Sequence, residues 1–317
     1  LPCLTSSFRN QGLNYYAPRE EATILKNVIS IPSNSDVYRA YFQSREFTVL
    51  SDAYAIRWKF NDMEPSPNQY LFMVLCINKV TDLPIYSYKN KLGGWNVVRN
   101  KYIQLPKKDG TIDFAFMESF IAELEAQRIA ELEAYLKVTG LKDYTLTEDE
   151  QRVVDQFSSF EWKQFNLKKL FGKSTRGKRL KSADRIAGTL PFATAGEADE
   201  GVSAFIGNAV DVFSKNTTTI DMFGSAKYRN YDYGGDDHVA VVHTEKLSKY
   251  AAIFVTTAIH KSSHTGKFDY SRNFYAKDAD ELEILLPIAN GKPDYATMGL
   301  LISAIHKIVV KDVVQYA

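Results

Sequence analysis

The feature that most constrains this chain of 317 residues is an internal repeat. Segments of the first half recur in the same order in the second half, at an offset of 189 or 190 early in the repeat and 181 near its end. A duplication of this size predicts two domains of ordinary length with similar folds, each with its own core. The matched segments are residues 1–5 and 190–194, Gly12 and Gly201, residues 27–31 and 216–220, residues 38–41 and 228–231, and residues 105–113 and 286–294.

Each repeat combines a strand-rich part with one long helix. Short apolar runs between clusters of Gly, Asn, Ser and Asp predict strands, and two longer stretches predict helices. Asp113 and Asp294 are predicted helix N-caps, because each precedes apolar residues at helical spacing. The apolar stripes are close to heptad spacing, so the two long helices either pair with each other or pack on their own domains. The predicted strands are residues 27–31, 47–50, 239–242 and 282–286, and the shorter predicted helices are residues 70–78 and 249–260.

The repeat also predicts the domain boundaries. We expect a first domain at residues 1–112 with its helix at 113–139, a polar, acidic linker at 140–159, a second domain at 160–293 and its helix at 294–317. The second repeat opens with residues 160–189, which have no counterpart in the first. We therefore expect the first domain to lack its N-terminal part and the natural chain to be longer.

A net charge of +1 conceals an uneven distribution. Nine Lys or Arg residues lie between Glu161 and Arg185, opposed by two acidic residues, whereas residues 113–133 carry six acidic residues and one Arg. The basic segment is typical of a surface that binds a polyanion. The two cysteines, Cys3 and Cys76, exclude a disulfide scaffold and a Cys-rich zinc site, and they favour the cytoplasm. No apolar run approaches the ~18 residues that a membrane-spanning helix needs.

The sequence lacks the common catalytic motifs. It contains no P-loop, Gly-rich dinucleotide loop, His-Glu-x-x-His, Gly-x-Ser-x-Gly or Asn/Asp-Pro-Pro-Tyr loop of the adenine methyltransferase type. We therefore expect no catalytic, cofactor-binding or metal-binding residues and no cofactor. His238 and His243 are interpreted as strand residues, and Asp236-Asp237 as a turn after Gly234-Gly235. A hydrolase using such paired carboxylates, or a duplicated scaffold that binds only protein, remains an alternative.

The order of short motifs resembles one known family. The second repeat carries Phe-Glu-Trp-Lys at 160–163, Leu-Phe at 170–171, Gly-Lys-Arg-Leu at 177–180, Leu-Pro at 190–191 and Gly201. Both repeats end with the same motifs in the same order: Leu-Pro, then Asp-Gly or Asn-Gly, then the Asp that caps the long helix. A Met follows four residues after that Asp. This pattern is similar to the target-recognition domains of specificity (S) subunits from type I and BcgI-like type II restriction–modification systems.

The resemblance implies an α+β fold with two recognition domains, each followed by a spacer helix, and with the helices paired antiparallel. It implies a non-catalytic subunit in which each domain reads one half of a split site in double-stranded DNA. Its partners would be methyltransferase (modification) subunits and, in some systems, a nuclease or translocase subunit. No membrane is involved.

Candidate DNA contacts are cationic, amide, hydroxyl and aromatic residues in segments predicted as loops or exposed strands, because such groups bind phosphates and base edges. The candidates differ between the repeats, so the two domains would read different half-sites. In the first repeat they are Ser6, Arg9, Asn10, Gln11, Asn34, Tyr38, Arg39, Tyr88, Lys89 and Lys91. In the second repeat they are Lys178, Arg179, Lys181, Lys227, Tyr228, Arg229, Lys267, Tyr270 and Arg272.

Overall fold

The computed structural model describes residues 1–50, 52–60 and 63–317. The chain divides into two compact units, unit 1 (Leu1–Tyr135) and unit 2 (Leu136–Ala317). Both units mix strands and helices, which confirms the predicted α+β class. The predicted domain boundaries and the pairing of the long helices stay predictions. Among the described residues, no helix has the length and apolar character needed to cross a bilayer.

Unit 1 begins with strands and ends with a long helix. Its core lies between the central strands, the first helix and the start of the long helix, where Ile31, Tyr70 and Met117 are buried together. Its elements are β1 (Pro2–Leu4), β2 (Leu13–Tyr16), β3 (Val28–Pro32), β4 (Tyr41–Gln43), β5 (Thr48–Val49), β6 (Ala53–Ile56), α1 (Pro67–Thr81), α2 (Trp95–Val98), β7 (Lys107–Lys108), β8 (Thr111–Ile112) and α3 (Phe114–Val138).

Unit 2 follows the same order with additional strands. Its core contains Leu167, Ile220 and Met298, all fully buried. Its elements are α4 (Glu148–Asp155), β9 (Trp162–Asn166), α5 (Leu167–Phe171), β10 (Thr175–Arg176), β11 (Ala187–Ala193), β12 (Val202–Ile206), β13 (Val212–Phe213), β14 (Thr217–Asp221), β15 (Ala226–Arg229), β16 (Tyr233–Gly235), β17 (Val239–Val242), α6 (Lys249–Ser263), α7 (Ala276–Glu281), β18 (Glu283–Ala289), β19 (Lys292–Pro293) and α8 (Tyr295–Tyr316).

The sheet connections show that the repeat is structural. In unit 1 the strand orders are β2-β1-β5 and β4-β3-β6, and in unit 2 they are β12-β11-β16-β13 and β10-β17-β14-β15. In both units the first strand of the repeat is antiparallel to the next strand and parallel to a later one. The hairpin β3–β4 therefore corresponds to β14–β15, and β6 corresponds to β17.

The predicted N-caps of the long helices are confirmed. Asp113 Oδ1 accepts a hydrogen bond from the Phe116 N–H at 2.8 Å, and Asp294 Oδ1 accepts one from the Thr297 N–H at 3.0 Å. Such bonds satisfy N–H groups that the first helical turn leaves without a partner. The local sequence alone therefore determines where α3 and α8 begin.

One sequence match is wrong. Val28 pairs with Gln43 across the first hairpin, and its counterpart Thr217 pairs with Arg229 across the second. Gln43, and not Arg39, is therefore the structural equivalent of Arg229. The loop joining β3 to β4 is longer than the loop joining β14 to β15, so the offset changes within the hairpin. Residues 38–41 and residues 228–231 are therefore not structurally equivalent.

The segment predicted as a polar linker contains a helix that packs on α8. Thr147 and Glu150 form a reciprocal capping box that starts α4. The Glu150 carboxylate is 4% exposed and lies 3.0 Å from Lys307 Nζ of α8. This buried ion pair attaches α4 to the long helix of unit 2.

Candidate nucleic-acid interface

The first candidate segment of unit 1 is the turn between β1 and β2. Asn10 and Gln11 have left-handed backbones with φ of 47° and 53°, and their side chains and that of Arg9 are exposed. Gly12 follows with φ of 93°, a conformation that a residue without Cβ adopts easily. Ser6 is half-buried at the base of the turn. The turn thus presents a cation and two amides to solvent.

The second segment of unit 1 joins the β3–β4 loop to the loop after α1. The Tyr88 N–H donates to Asp36 Oδ1 at 2.8 Å, which connects the two loops. Lys91 Nζ lies 5.0 Å from the centre of the exposed Tyr88 ring, and Lys89 beside it is also exposed. Arg39 is exposed but donates to Asp82 Oδ2 at 2.7 Å. The joined loops form an exposed surface with cations and an aromatic ring.

Unit 2 brings the equivalent loops together by a different contact. Phe223, on the β14–β15 loop, meets the ring of Tyr270, on the loop after α6, edge to face at 5.3 Å. Tyr270 is nevertheless 85% exposed, and Lys267 is exposed nearby in sequence. The Arg272 guanidinium lies 5.5 Å from the ring centre of Phe268. The same frame therefore carries different exposed groups in the two units.

The basic segment of unit 2 is held against strand β16. A Cβ on Gly177 would collide with the carbonyl group of Gly235, so only glycine allows this close approach. The side chains of Lys178, Arg179 and Lys181 that follow are exposed. Lys178 Nζ lies 3.3 Å from Asp211 Oδ2, but both side chains are mostly in solvent, so that ion pair is weak.

Two candidates are wrong because the structure buries them. Tyr38 and Arg229 are each 1% exposed. Arg229 lies beneath the β11–β12 turn, where its Nη2 donates to Glu200 O at 2.9 Å and its Nε donates to Thr219 Oγ1 at 3.0 Å. Gln43 has the equivalent role in unit 1, because its Nε2 donates to the backbone oxygen of Gln11 and to the hydroxyl of Ser30. Arg229 and Gln43 therefore hold equivalent turns in the two units, and Arg229 is enclosed beneath its turn.

Three further candidates are largely enclosed. Lys227, with a side chain 13% exposed, pairs with Glu197 at 3.3 Å and Asp221 at 3.7 Å. Tyr228 is half-buried, which raises the pKa of its hydroxyl, and it donates to Asn216. Asn34 is also half-buried. The alternation of Tyr with Arg and Lys along β15 therefore accompanies packing inside unit 2, and a DNA contact of Lys227 and Tyr228 stays a prediction.

The prediction that His238 and His243 are strand residues is wrong. His238 lies with Asp237 in the turn between β16 and β17, and His243 follows β17, so neither is a strand residue. Asp236, Asp237 and His238 bring potential ligand atoms within 4.8 Å of one another. Asp236 Oδ1 accepts from the Leu180 N–H at 3.2 Å, and Asp237 Oδ1 lies 3.0 Å from His238 Nδ1. The predicted turn is confirmed: the Val239 N–H donates to Asp236 O at 3.2 Å across it.

Comparison with known proteins supports the resemblance. No protein-family model matches the chain. The chain is 26% identical over 242 residues to the specificity subunit S.BcgI of a type II restriction enzyme from Heyndrickxia coagulans, a match that covers 73% of this chain and 64% of that relative. The chain thus matches less than two thirds of the relative's length.

Solved structures agree on the fold. The crystal structure of a type I restriction–modification S subunit from M. genitalium matches with a TM-score of 0.62 and 13% identity, covering 99% of this chain and 83% of that one. The HsdS subunit of Thermoanaerobacter tengcongensis matches 95% of this chain and 77% of that one at 14% identity, but with a TM-score of 0.33, so the fold comparison depends on the first structure. The resemblance seen in the motifs is confirmed: the chain is similar in sequence to one specificity subunit of a restriction–modification system and shares the fold of another.

Proposed function

We propose that the chain recognises a bipartite site in double-stranded DNA, with one half-site read by each unit. In this role it is a non-catalytic subunit of the cytoplasm that positions methyltransferase subunits on the DNA. A nuclease or translocase subunit joins the assembly in systems that have one. The relation to specificity subunits and the exposed loop surfaces of the two units support this proposal.

The observation that carries the proposal is the shared loop frame with unlike side chains. Unit 1 presents Tyr88 and Lys91 on the loop after α1, and unit 2 presents Lys267, Tyr270 and Arg272 on the loop after α6. Cationic side chains bind phosphates or guanine edges, and aromatic rings pack against bases and sugars. A conserved frame with different reading groups is what two different half-sites require.

The two units also differ in the charge of the turn that follows the first strand of each repeat. Unit 1 exposes Arg9 and Asn10 on the β1–β2 turn, whereas the equivalent turn of unit 2 exposes Asp199 and Glu200. Carboxylates at that position repel phosphates, so we assign the turn as a DNA contact in unit 1 only. In unit 2 the segment containing Lys178 and the neighbouring cations supplies the phosphate contacts instead.

Selection of binding duplexes from a randomised library tests the proposal. The purified chain, with and without methyltransferase subunits, should enrich two short half-sites separated by a gap of constant length. Arg272→Ala should alter one half-site, and Lys91→Ala should alter only the other. Lys311→Ala, which removes an exposed cation from α8, is the matched control and should change neither.

Salt dependence provides the second measurement. The logarithm of the binding constant should fall linearly with the logarithm of salt concentration, by roughly 0.9 for each phosphate contact. Enrichment of a single undivided site, or binding without salt dependence, would refute the proposal. So would an Arg272→Ala variant that changes both half-sites.

A further inference from the structure

The two units attach their central hairpin to a helix at equivalent positions. Helices α1 and α6 are each 15 residues long, and each begins at a serine N-cap, Ser66 and Ser248. Counted from those caps, Asn78 and His260 occupy the same helical position, and both side chains are half-buried. Asn78 and His260 are therefore equivalent residues of the repeat.

Each of these side chains accepts a hydrogen bond from the same backbone group. Asn78 Oδ1 accepts from the Ala40 N–H at 2.7 Å, and His260 Nδ1 accepts from the Ala226 N–H at 3.1 Å. Ala40 and Ala226 are equivalent in the register of the two hairpins, and both are buried. A buried N–H without an acceptor is costly, so this bond holds the start of the second hairpin strand against the helix in both units.

The two acceptors respond differently to protons. An amide oxygen accepts at any ordinary pH, whereas His260 Nδ1 accepts only while it carries no proton. An imidazolium has an N–H on both nitrogens, so a charged His260 would direct a second donor at the buried Ala226 N–H. The hydrogen bond therefore requires a neutral His260 with its proton on Nε2.

The surroundings of His260 favour this neutral form. The charged and titratable groups that face it come from three elements: His264 at the C-cap of α6, Lys227 on β15 and Glu197 on the β11–β12 turn. Lys227 also pairs with Asp221 of β14. The His264 ring stacks on the His260 ring with centres 4.8 Å apart. Burial lowers the pKa of His260 from its usual 6.5, and the adjacent imidazole lowers it further.

Unit 1 has no histidine at either of these positions. All five histidines of the chain lie in unit 2. The equivalent of His264 is Asp82, whose Oδ2 accepts from Arg39 Nε at 2.7 Å. Histidine is the side chain whose ordinary titration lies between about pH 5 and 8, so only the attachment in unit 2 contains a group that titrates there.

The hairpin loop that His260 supports also contacts an exposed tyrosine. Phe223, on the β14–β15 loop, meets the ring of Tyr270 edge to face at 5.3 Å. Ser263 Oγ donates to Gly224 O of the same loop at 2.6 Å, so α6 keeps a second bond to the loop when the first is lost. Loss of the His260 bond therefore loosens the support of Tyr270 without detaching the loop.

We propose, on the basis of the proposed DNA recognition, that Asn78 and His260 position the hairpin loops for half-site reading and that His260 makes reading by unit 2 alone depend on pH. As the pH falls below about 6.5, His260 takes up a proton and the Ala226 N–H loses its acceptor. Unit 2 then loses affinity for its half-site, whereas unit 1 keeps its own. Above that pH the bond is intact in both units.

Hydrogen exchange of the whole chain without DNA tests the bond itself. From about pH 7.5 to about 5.5, the protection factor of the Ala226 amide should fall roughly three- to tenfold, and that of the Ala40 amide should stay constant. His260→Asn, which copies unit 1, should make the Ala226 amide independent of pH. The reciprocal Asn78→His should transfer the pH dependence to the Ala40 amide. His306→Asn on α8 is the matched control and should change neither amide.

Selection of duplexes at the same two pH values tests the link to recognition. At the lower pH, the half-site altered by Arg272→Ala should lose enrichment, whereas the half-site altered by Lys91→Ala should persist. His260→Asn should restore the lost enrichment. A positioning role predicts this rescue, because the asparagine supplies an acceptor that does not titrate.

Several outcomes would overturn the proposal. These are a constant protection factor at Ala226, an equal fall at Ala40, and selection that still depends on pH in His260→Asn. Selection of no duplex at any pH would refute the proposed DNA recognition and, with it, the role in half-site reading. The amide measurements separately decide whether His260 holds the hairpin, because they need no DNA.

Discussion

Replacing Glu150 with Gln should destabilise unit 2, because this carboxylate is the centre of the contact between α4 and α8. Glu150 Oε1 accepts from Ser303 Oγ at 2.6 Å, and Oε2 accepts from Lys307 Nζ at 3.0 Å. Oε2 also accepts from the Thr147 N–H at 2.8 Å and so completes the cap of α4. A neutral amide keeps the size of the side chain but leaves Lys307 with a weaker buried partner.

The pKa of Glu150 gives the magnitude. Burial alone would raise it, but the hydrogen bonds from Ser303, Thr147 and Lys307 outweigh burial and lower it from 4.5 to about 2. A lowering of this size corresponds to stabilisation on the order of 3 kcal/mol at neutral pH. The folded pKa is the lower one, so the stabilisation is complete above about pH 4.5 and is lost as the pH falls towards 2.

Urea denaturation at a series of pH values checks this reasoning. At pH 7, Glu150→Gln should lower the free energy of unfolding of unit 2 by roughly 2 to 4 kcal/mol, a range centred on the value that the lowered pKa gives. The difference from the unchanged chain should fall to less than about half by pH 3. Glu148→Gln, on the exposed side of α4, is the control and should change the free energy by less than about 0.5 kcal/mol. A difference for Glu150→Gln that is as small as the control, or that does not depend on pH below 4.5, would refute the reasoning.

Three other predictions follow from the same structure. Reversing the charges of Lys178 and Arg179 should weaken binding to every duplex and reduce the salt slope by roughly 0.9 per lost phosphate contact; an unchanged slope would exclude them from the interface. Arg229→Met should lower the free energy of unfolding by roughly 2 to 4 kcal/mol, since it leaves buried oxygens without a donor, and a loss below about 1 kcal/mol in urea denaturation would contradict this. Inserting four residues near Ala126 lengthens α3 by about 6 Å. It should lengthen the preferred gap by one or two base pairs, as seen by sequencing methylated sites of a reconstituted complex, whereas altered half-sites would rule out a spacer role.

Much of the fold could be predicted because its signals are local or repeated. The N-caps Asp113 and Asp294 depend on bonds to residues three positions later, so a short stretch of sequence contains the whole interaction. The duplicated order of motifs predicted two similar units, and the exposed loop residues Lys267 and Tyr270 were found by composition alone. These inferences needed no knowledge of which segments meet in space.

Less of the candidate site could be predicted from the sequence. Tyr38-Arg39 and Tyr228-Arg229 look alike, but register across the β-hairpin makes Gln43 the partner of Val28 and the equivalent of Arg229. Gln and Arg are different residue types, and the shared role becomes visible only in the structure, where each donates to the equivalent turn of its own unit. The loop length between paired strands caused the error, because a few added residues shift the alignment without disturbing the ladder.

The sequence by itself determined the repeat, the helix starts, the α+β class and the family resemblance, since each depends on neighbouring residues or on order along the chain. Only the tertiary structure decided that Arg229 is a buried support while Tyr270 reaches solvent, and that Glu150 joins a supposed linker to α8. A charged side chain is buried only where distant segments supply its partners: Glu150 and Lys307 are far apart in sequence. Burial is therefore a property of long-range packing.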